Sequence, residues 1–270
     1  MEFRDKVVLI AGASGGMGKE ITEQLARDGC KLSLFARREE KLKGISKNLS
    51  NNKTTCIFKK CDVTKKSDVK EAVEYTKKNF GRIDFAILTS GILVPNPIQT
   101  FDSEIIKKSI EVNFLGYVYF IEYLMPVMKS QKSGTIAVTS TLPDKRGVAG
   151  WGAYGASKAA ISWLIESLRA EAKDRYNINF ITIKPGSVLT PMIEGYHRKG
   201  AVTSKKAAEI IISGIKKQKK IIQFPFYQVL PIRMTDLFPP SAYDALDYEV
   251  MKGDGYPKVA EKWYGNFLIY

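Results

Sequence analysis

The sequence predicts an α/β fold: a doubly wound parallel sheet of about seven strands, carried by a single domain over residues 1–270. Three observations predict it. Short apolar runs rich in Val, Ile and Phe alternate with longer segments of helical period, as β-α-β units do. The runs are apolar almost throughout instead of at every second residue, which suits strands covered on both faces. No linker-like stretch and no internal repeat divides the chain, and at roughly 150 residues per domain this length accommodates one large α/β domain.

The first strand, 7–13, runs straight into Gly12-Ala13-Ser14-Gly15-Gly16-Met17-Gly18, and a helical stretch follows over 19–28. Glycines at 12, 16 and 18 let the backbone turn tightly and approach a pyrophosphate, whose charge then faces the free N–H groups of a helix N-terminus. With a strand before it and a helix after it, the segment reads as the dinucleotide-binding turn of a Rossmann-type sheet. An ordinary flexible βα loop is the alternative.

The second strand, 31–36, ends in Phe35-Ala36-Arg37-Arg38-Glu39. An acidic residue there would accept hydrogen bonds from a free ribose 2′-OH, whereas a 2′-phosphate needs cationic forks. Guanidinium pairs with phosphate in bidentate fashion, so Arg37 and Arg38 favour NADP(H). Two solvated arginines at a helix start are the bland reading, and they would oppose the helix dipole. The third strand, 55–61, leads to Asp62-Val63, where Asp62 serves either an adenine amino group or the cap of the next helix. That helix keeps Val69, Ala72, Val73, Thr76 and Phe80 on one face.

The fourth strand, 84–89, leads to Ser90-Gly91. Beyond it Asn113 lies with Ile110, Phe114 and Tyr117, a polar residue beside an apolar helical stripe that reads equally as a hydrogen-bonded helix irregularity. The fifth strand, 134–140, ends in Ser140, at the C-terminal edge where open α/β sheets hold their ligands; this hydroxyl is a candidate donor to a substrate carbonyl. A helix with Ile161, Leu164, Ile165 and Leu168 on its inner face follows, then the sixth strand, 179–184. Residues 187–204 lack clear period, and loops this long in compact domains are usually functional. After the seventh strand, 221–224, the segment 225–270 is dense in Pro and aromatics and reads as a substrate-facing cap or a subunit-packing tail.

The most informative segment is Ala153-Tyr154-Gly155-Ala156-Ser157-Lys158. Tyr154 and Lys158 are four apart and share a helix face. A free tyrosine titrates near pH 10, too high to exchange protons readily at neutrality. A cation about 4 Å away, at an effective dielectric near 20, stabilises the phenolate by about 4 kcal/mol. Tyr154 thereby becomes a general acid or base.

Taken together these segments resemble the short, single-domain short-chain dehydrogenases/reductases, over Lys6 to about Met192. The family's glycine triplet matches Gly12, Gly16 and Gly18, its acidic residue after strand three matches Asp62, and its catalytic Asn-Ser-Tyr-Lys set matches Asn113, Ser140, Tyr154 and Lys158. The Pro-Gly-x-x-x-Thr segment matches Pro185, Gly186 and Thr190. The resemblance implies reversible hydride transfer between NADP(H) and a ketone or secondary alcohol, including bulky hydrophobic or lipid-like ones. Tyr154 would be the proton donor, Ser140 would polarise the carbonyl, Lys158 would also bind the nicotinamide ribose and Asn113 would position a relay water. Ser14, Gly15, Met17, Val63 and Gly91 would add to the cofactor site, 187–204 would form a substrate lid, and a homodimer or homotetramer is expected. One departure stands out: the family's usual Asn-Asn-Ala-Gly after strand four is Leu88-Thr89-Ser90-Gly91 here, which removes side-chain bonds that steady the central sheet.

Composition narrows the remaining classes. The formal charge of +14 lies in scattered lysine pairs, without a dedicated arm, and no basic patch interleaved with aromatics points to nucleic acid. His197 is the sole histidine, so neither a His-based metal site nor a Ser-His-Asp hydrolase is expected. Three cysteines with no C-x-x-C pair lead to the expectation of a reducing cytoplasm. An NADP(H)-binding sensor without turnover is the alternative to an enzyme. For the lysine run over 216–220 beside the aromatic tail, subunit packing is the favoured reading and an anionic membrane surface the competing one.

Overall fold

The computed structural model describes residues 2–50, 54–193 and 200–245. Strand β1 (Val7–Ala11) is buried along its whole length and sits between β2 (Lys31–Ala36) and β4 (Phe85–Leu88), with Ile10 opposite Leu34 on one side and Ile87 on the other. Outward from this centre lie β3 (Cys56–Lys60) on one flank and β5 (Gly134–Thr139), β6 (Ile178–Pro185) and β9 (Ile221–Phe224) on the other. The sheet therefore has seven strands in the order β3-β2-β1-β4-β5-β6-β9, every pair parallel. Chain order reverses between β1 and β4, and a crevice opens outside the carboxyl ends of strands at such a reversal.

Apolar helix faces cover both sides of the sheet. Helices α1 (Gly16–Arg27), α2 (Glu39–Ser50) and α7 (Ser204–Lys216) pack on one face around Ile21, Leu25, Leu42 and Ile211. Helices α3 (Lys66–Phe80), α5 (Gly116–Gln131) and α6 (Gly152–Tyr176) pack on the other around Val69, Phe120, Leu124 and Ile165. Of the face read for α3, Val69, Ala72, Val73 and Thr76 are buried and Phe80 is half-buried, and the helix stops where Gly81 adopts a φ of 76°. Thr76 turns its hydroxyl to Ser33 of β2 at 2.8 Å, so this polar pair enters the core without an orphaned donor.

Helix α4 (Ser103–Ile110) starts at Asp102, whose carboxylate accepts from the Glu104 N–H, and passes through a single π turn (Glu111–Leu115) into α5. The stretch 187–204, which shows no period in the sequence, holds two short strands, β7 (Val188–Leu189) and β8 (Val202–Thr203), paired in parallel. Two-residue strands are too short to leave a hydrophobic period. The middle of that stretch, including His197, lies outside the described residues, as does 246–270.

The C-terminal segment begins with α8 (Phe226–Thr235) at the carboxyl edge of the sheet. The lysine run over 216–220 lies at the other end of β9, about 13 Å away along four strand residues. The run and α8 therefore stand at opposite ends of β9. No helix among the described residues is long and apolar enough to cross a membrane.

Candidate active site

At the carboxyl end of β1 the chain turns with Gly12 at φ 88° and Gly16 at φ 52°, conformations that a side chain would strain. Space makes the same demand. A Cβ on Gly12 would stand 2.7 Å from the Ser90 nitrogen, and one on Gly18 would strike the Gly12 carbonyl and come within 2.7 Å of the Thr89 hydroxyl. The turn is consequently packed from behind by the end of β4, and α1 opens on its other side with N–H groups unused by any side-chain cap. That arrangement is a cradle for a phosphate group.

Arg38 lies over this turn. Its Nη2 donates to the Ser14 hydroxyl at 3.2 Å and stands 3.0 Å from where a Gly15 Cβ would be. Arg37 faces elsewhere, close enough to Asp62 to act on its charge. Partial burial pushes the Asp62 carboxyl up, but two hydrogen bonds from Thr64 and the charges of Arg37 and Lys108 outweigh it and hold the pKa below the ordinary value. Asp62 Oδ1 accepts from the Thr64 N–H at 3.0 Å and its hydroxyl at 2.8 Å, which closes a turn before the helix; the helix itself begins after Lys65 with no side-chain cap, so Asp62 does not cap it. Val63 points its side chain into the core against Gly116, which leaves only its backbone to face a ligand.

Thr89 stands where the resembling family has asparagine, and its hydroxyl donates to the Ala11 carbonyl at 2.9 Å. The tie between β1 and β4 that the sequence comparison counted as lost is thus made by a shorter side chain. Gly91, one turn on, leaves room for Asn113 Oδ1 and Lys158 Nζ, which would lie 3.2 and 3.5 Å from a Cβ there.

Asn113 sits in the π turn with no accessible surface. Its amide accepts from the Ile92 N–H at 2.8 Å, donates to the Ile92 carbonyl at 3.0 Å, and donates to the Ser157 hydroxyl at 3.0 Å. Ser157 in turn donates to the Tyr154 carbonyl at 2.7 Å. The side chain is therefore a clamp between the loop after β4 and the first turn of α6, and π turns of this kind recur at functional sites. Ser157 was missed by sequence reasoning, although its place one residue before Lys158 offered a signal.

Lys158 is 3% exposed and sends its ammonium to the Thr139 carbonyl at 2.7 Å. The ring centroids of Tyr117 and Tyr154 lie 5.2 and 5.9 Å from Nζ. Burial lowers the lysine pKa to about 7, so its charge is in balance near neutrality. Burial likewise raises the Tyr117 hydroxyl above its ordinary value, the proximity of Tyr154 adding to the effect, which keeps Tyr117 a neutral wall with its proton donated to the Ser90 carbonyl.

Ser140 is fully buried. Its hydroxyl meets the Lys158 carbonyl at 2.9 Å and the Ser162 hydroxyl at 2.7 Å, and Ser162 donates to Asp144 Oδ2 at 2.7 Å. Asp144 is itself enclosed by Lys184 Nζ at 2.5 Å and by Arg233, whose two terminal nitrogens reach Oδ1 at 3.2 and 3.3 Å. None of this cluster was foreseen. A lysine closing an otherwise apolar strand was its one visible sign, since a buried ammonium needs a partner.

One cavity collects the catalytic end of the site, while Gly12, Ser14, Gly15, Gly16, Gly18, Arg37, Arg38, Asp62, Val63 and Asn113 are not part of its lining. Met17, Gly91, Ser140, Tyr154 and Lys158 line it together with Pro185, Gly186 and Thr190. Pro185 and Gly186 are held by backbone bonds, the Pro185 carbonyl accepting from Leu142 N–H and Gly186 N–H donating to the Phe224 carbonyl. Thr190 reaches back to within 3.3 Å of a Cβ position on Gly16, so the segment after β6 closes over the glycine turn. Leu93, Val148, Trp151, Ile193 and Ile232 form an apolar end beyond Tyr154, and Arg146 on that side is tied to the Asp236 and Phe238 carbonyls. No group of three or more His, Cys, Asp and Glu side chains suited to a metal ion occurs among the described residues.

Known proteins share this sequence pattern and fold. Residues 6–200 match the family model for short chain dehydrogenases. The chain is 37% identical over 195 residues to the oxidoreductase Lmo0432 of Listeria monocytogenes, spanning 72% of this chain and 79% of that one. Among solved structures it superposes on a short chain dehydrogenase/reductase of Burkholderia phymatum in complex with NAD, with a TM-score of 0.81 at 19% identity over 86% of this chain and 93% of that one. An alcohol dehydrogenase of the archaeon Thermococcus sibiricus, complexed with 5-hydroxy-NADP, gives 0.74 at 26% identity over 82% and 95%.

Proposed function

The chain belongs to the short-chain dehydrogenase/reductase family, and from that membership we propose that it is an NADP(H)-dependent oxidoreductase acting on ketones and secondary alcohols with apolar substituents. The observation that carries the reading is the meeting of Tyr154 and Lys158, on one face of α6, with Met17 of the glycine turn and an apolar pocket in one cavity. The residues present fit a nicotinamide dinucleotide, because Gly12, Gly16 and Gly18 leave a cradle that any Cβ would fill. Ser14 and Arg38, joined at 3.2 Å, would hold the 2′-phosphate that distinguishes NADP(H), with Arg37 and Asp62 on the adenine side.

When bound, the reduced cofactor supplies a hydride to the carbonyl carbon. The protein supplies the proton: as the C=O π bond opens, the Tyr154 hydroxyl protonates the oxygen, and the alcohol leaves with one new C–H and one new O–H bond. The phenolate so formed is stabilised by the Lys158 ammonium, held at the Thr139 carbonyl within reach of the tyrosine ring. Asn113 and Ser157 fix the first turn of α6 and hence the direction of Tyr154. Leu93, Val148, Trp151 and Ile232 exclude water and favour apolar substituents on the carbonyl.

The test is oxidation of NADPH, followed by absorbance, against a panel of aliphatic, cyclic and steroid-like ketones. Turnover is expected on the bulkier apolar members, and Tyr154→Phe should lower kcat by about 10²-fold or more at unchanged NADPH affinity. Tight NADPH binding with no turnover on any member would favour a nucleotide sensor.

A further inference from the structure

Beyond Tyr154 the cavity changes character. Its far wall is apolar, with Leu93, Trp151 and Ile232, and the long polar side chains set among them are Gln228 and Arg146. Gln228 is committed at both of its amide atoms: Oε1 accepts from the Ser187 N–H at 2.9 Å and Nε2 donates to the Gly200 carbonyl at 3.0 Å. Arg146 is committed at one nitrogen. Its Nη2 donates to the Asp236 carbonyl at 3.1 Å and to the Phe238 carbonyl, while no hydrogen bond of Nη1 or Nε occurs among the described residues.

The charge of Arg146 is likewise unanswered. The two carboxylates that its own loop and the end of α8 could offer are already engaged: Asp144 by Lys184 and Arg233, and Asp236 by Arg233 at 3.1 Å and Lys145 at 3.8 Å. No ion pair reaches Arg146 among the described residues, and neither Asp nor Glu lines the cavity. The other cation of the lining, Lys158, is turned to the Thr139 carbonyl. A guanidinium held only by backbone carbonyls keeps its full charge, and apolar walls around it strengthen its pull on an anion. It is also fixed in place, because its face lies against the Tyr243 ring, 5.2 Å from the centroid, and the Tyr243 hydroxyl donates to the Gly147 carbonyl at 2.7 Å. A cation already ordered before binding costs little to order on binding.

We propose that Arg146 anchors an acid subsite, and that the substrates of this cavity are ketones whose apolar body carries a carboxylate. The proposal rests on the reductase reading above and narrows it. The acid group takes no part in the redox step: hydride goes from the reduced cofactor to the carbonyl carbon, the Tyr154 proton goes to its oxygen, and the carboxylate leaves as it entered. Its bond to Arg146 sets which way round the substrate lies. The length of chain between acid and ketone then decides whether the carbonyl reaches Tyr154.

The probes are oxodecanoic acids with the carbonyl at successive positions, each beside its methyl ester, and decanoate, which has the acid group without a ketone. The wild type should prefer the best acid to its ester by about 10- to 100-fold in kcat/KM, the size of one charge-assisted hydrogen bond, with the difference mainly in KM. That comparison needs no variant. Arg146→Met, with Tm and NADPH affinity read beside it to report folding, should bring acid and ester to nearly equal kcat/KM. It should also weaken decanoate binding to the NADPH-loaded protein by about 10- to 100-fold. Arg146→Lys, which keeps the charge, should recover part of that affinity. Lys145→Met removes the neighbouring charge, which does not line the cavity, and should leave the acid preference as it was. Equal kcat/KM for acids and esters in the wild type, or an acid preference that survives in Arg146→Met, would overturn the acid subsite and leave the reductase reading in place. Arg146-dependent binding of decanoate with no turnover of any acid or ester would overturn the reductase reading and leave the subsite standing.

Discussion

Lys158 donates to the Thr139 carbonyl at 2.7 Å from a position where burial lowers its pKa to about 7. The bond aims the side chain along the cavity wall and leaves an ammonium that loses its charge easily. Both properties suit a group that must answer the charge on a neighbouring phenolate and then relax.

The same burial has a consequence for stability. An unfolded lysine holds its proton to about pH 10.4, whereas the folded chain releases it near 7, so between those values the unfolded state binds more protons. Stability from this group therefore rises with pH across that window, and the burden of the buried charge is greatest below pH 7. Lys158→Met should raise Tm at pH 6, with the difference shrinking towards pH 10; thermal denaturation of the cofactor-free protein at four pH values checks the slope.

Cofactor selectivity should separate the two arginines. Arg38 touches Ser14 over the glycine turn, while Arg37 acts on Asp62. Loss of a charge-assisted bond to phosphate amounts to about 1.5–3 kcal/mol, so Arg38→Ala should reduce the NADPH-to-NADH affinity ratio by roughly 10- to 100-fold. Arg37→Ala should change it less. Equilibrium titrations with both dinucleotides measure the ratio directly, and an unchanged ratio in the double variant would remove the 2′-phosphate site from this place.

The glycine turn should tolerate no side chain at position 18. A methyl there meets the Gly12 carbonyl, which is backbone and cannot swing aside, and the Thr89 hydroxyl at 2.7 Å. Gly18→Ala should abolish measurable dinucleotide binding and lower Tm. Gly44→Ala, where a Cβ meets nothing within 4 Å, is the matched control and should raise stability by up to about 1 kcal/mol inside its helix.

Asp144 is 2% exposed in its side chain and is shared by Lys184, Arg233 and Ser162. Asp144→Ala would leave Lys184 without its carboxylate and Arg233 with Asp236 alone, and breaking a buried pair from one side costs about 3–5 kcal/mol. Urea denaturation of that variant should show a loss of this size. Replacing Lys184 and Arg233 with methionine in the same chain should recover part of it.

Much of the fold was legible because its strands are long enough to show unbroken apolar runs and its helices keep a face, as Val69, Ala72, Val73 and Thr76 do. The pairing of Tyr154 with Lys158 was legible for the same reason: both lie on one helix, where spacing alone fixes proximity. The cluster around Asp144 was not, since Ser162, Lys184 and Arg233 come from α6, β6 and α8 and meet only after the sheet has formed. For Asn113 the hydrogen-bonded helix irregularity weighed at the outset is what the structure shows, the π turn bringing its amide to Ile92 and Ser157.

That irregularity also sets a phase. A π turn accommodates one residue more than an α turn would, and one residue is a rotation of about 100° about the helix axis. Deleting a single residue between Glu111 and Leu115 would close the π turn to an α turn and keep Phe120, Leu124 and Met128 on the sheet they cover, while withdrawing the Asn113 amide from Ile92 and Ser157. The extra residue is thus what lets one continuous helix both cover the sheet with α5 and turn the Asn113 amide towards α6.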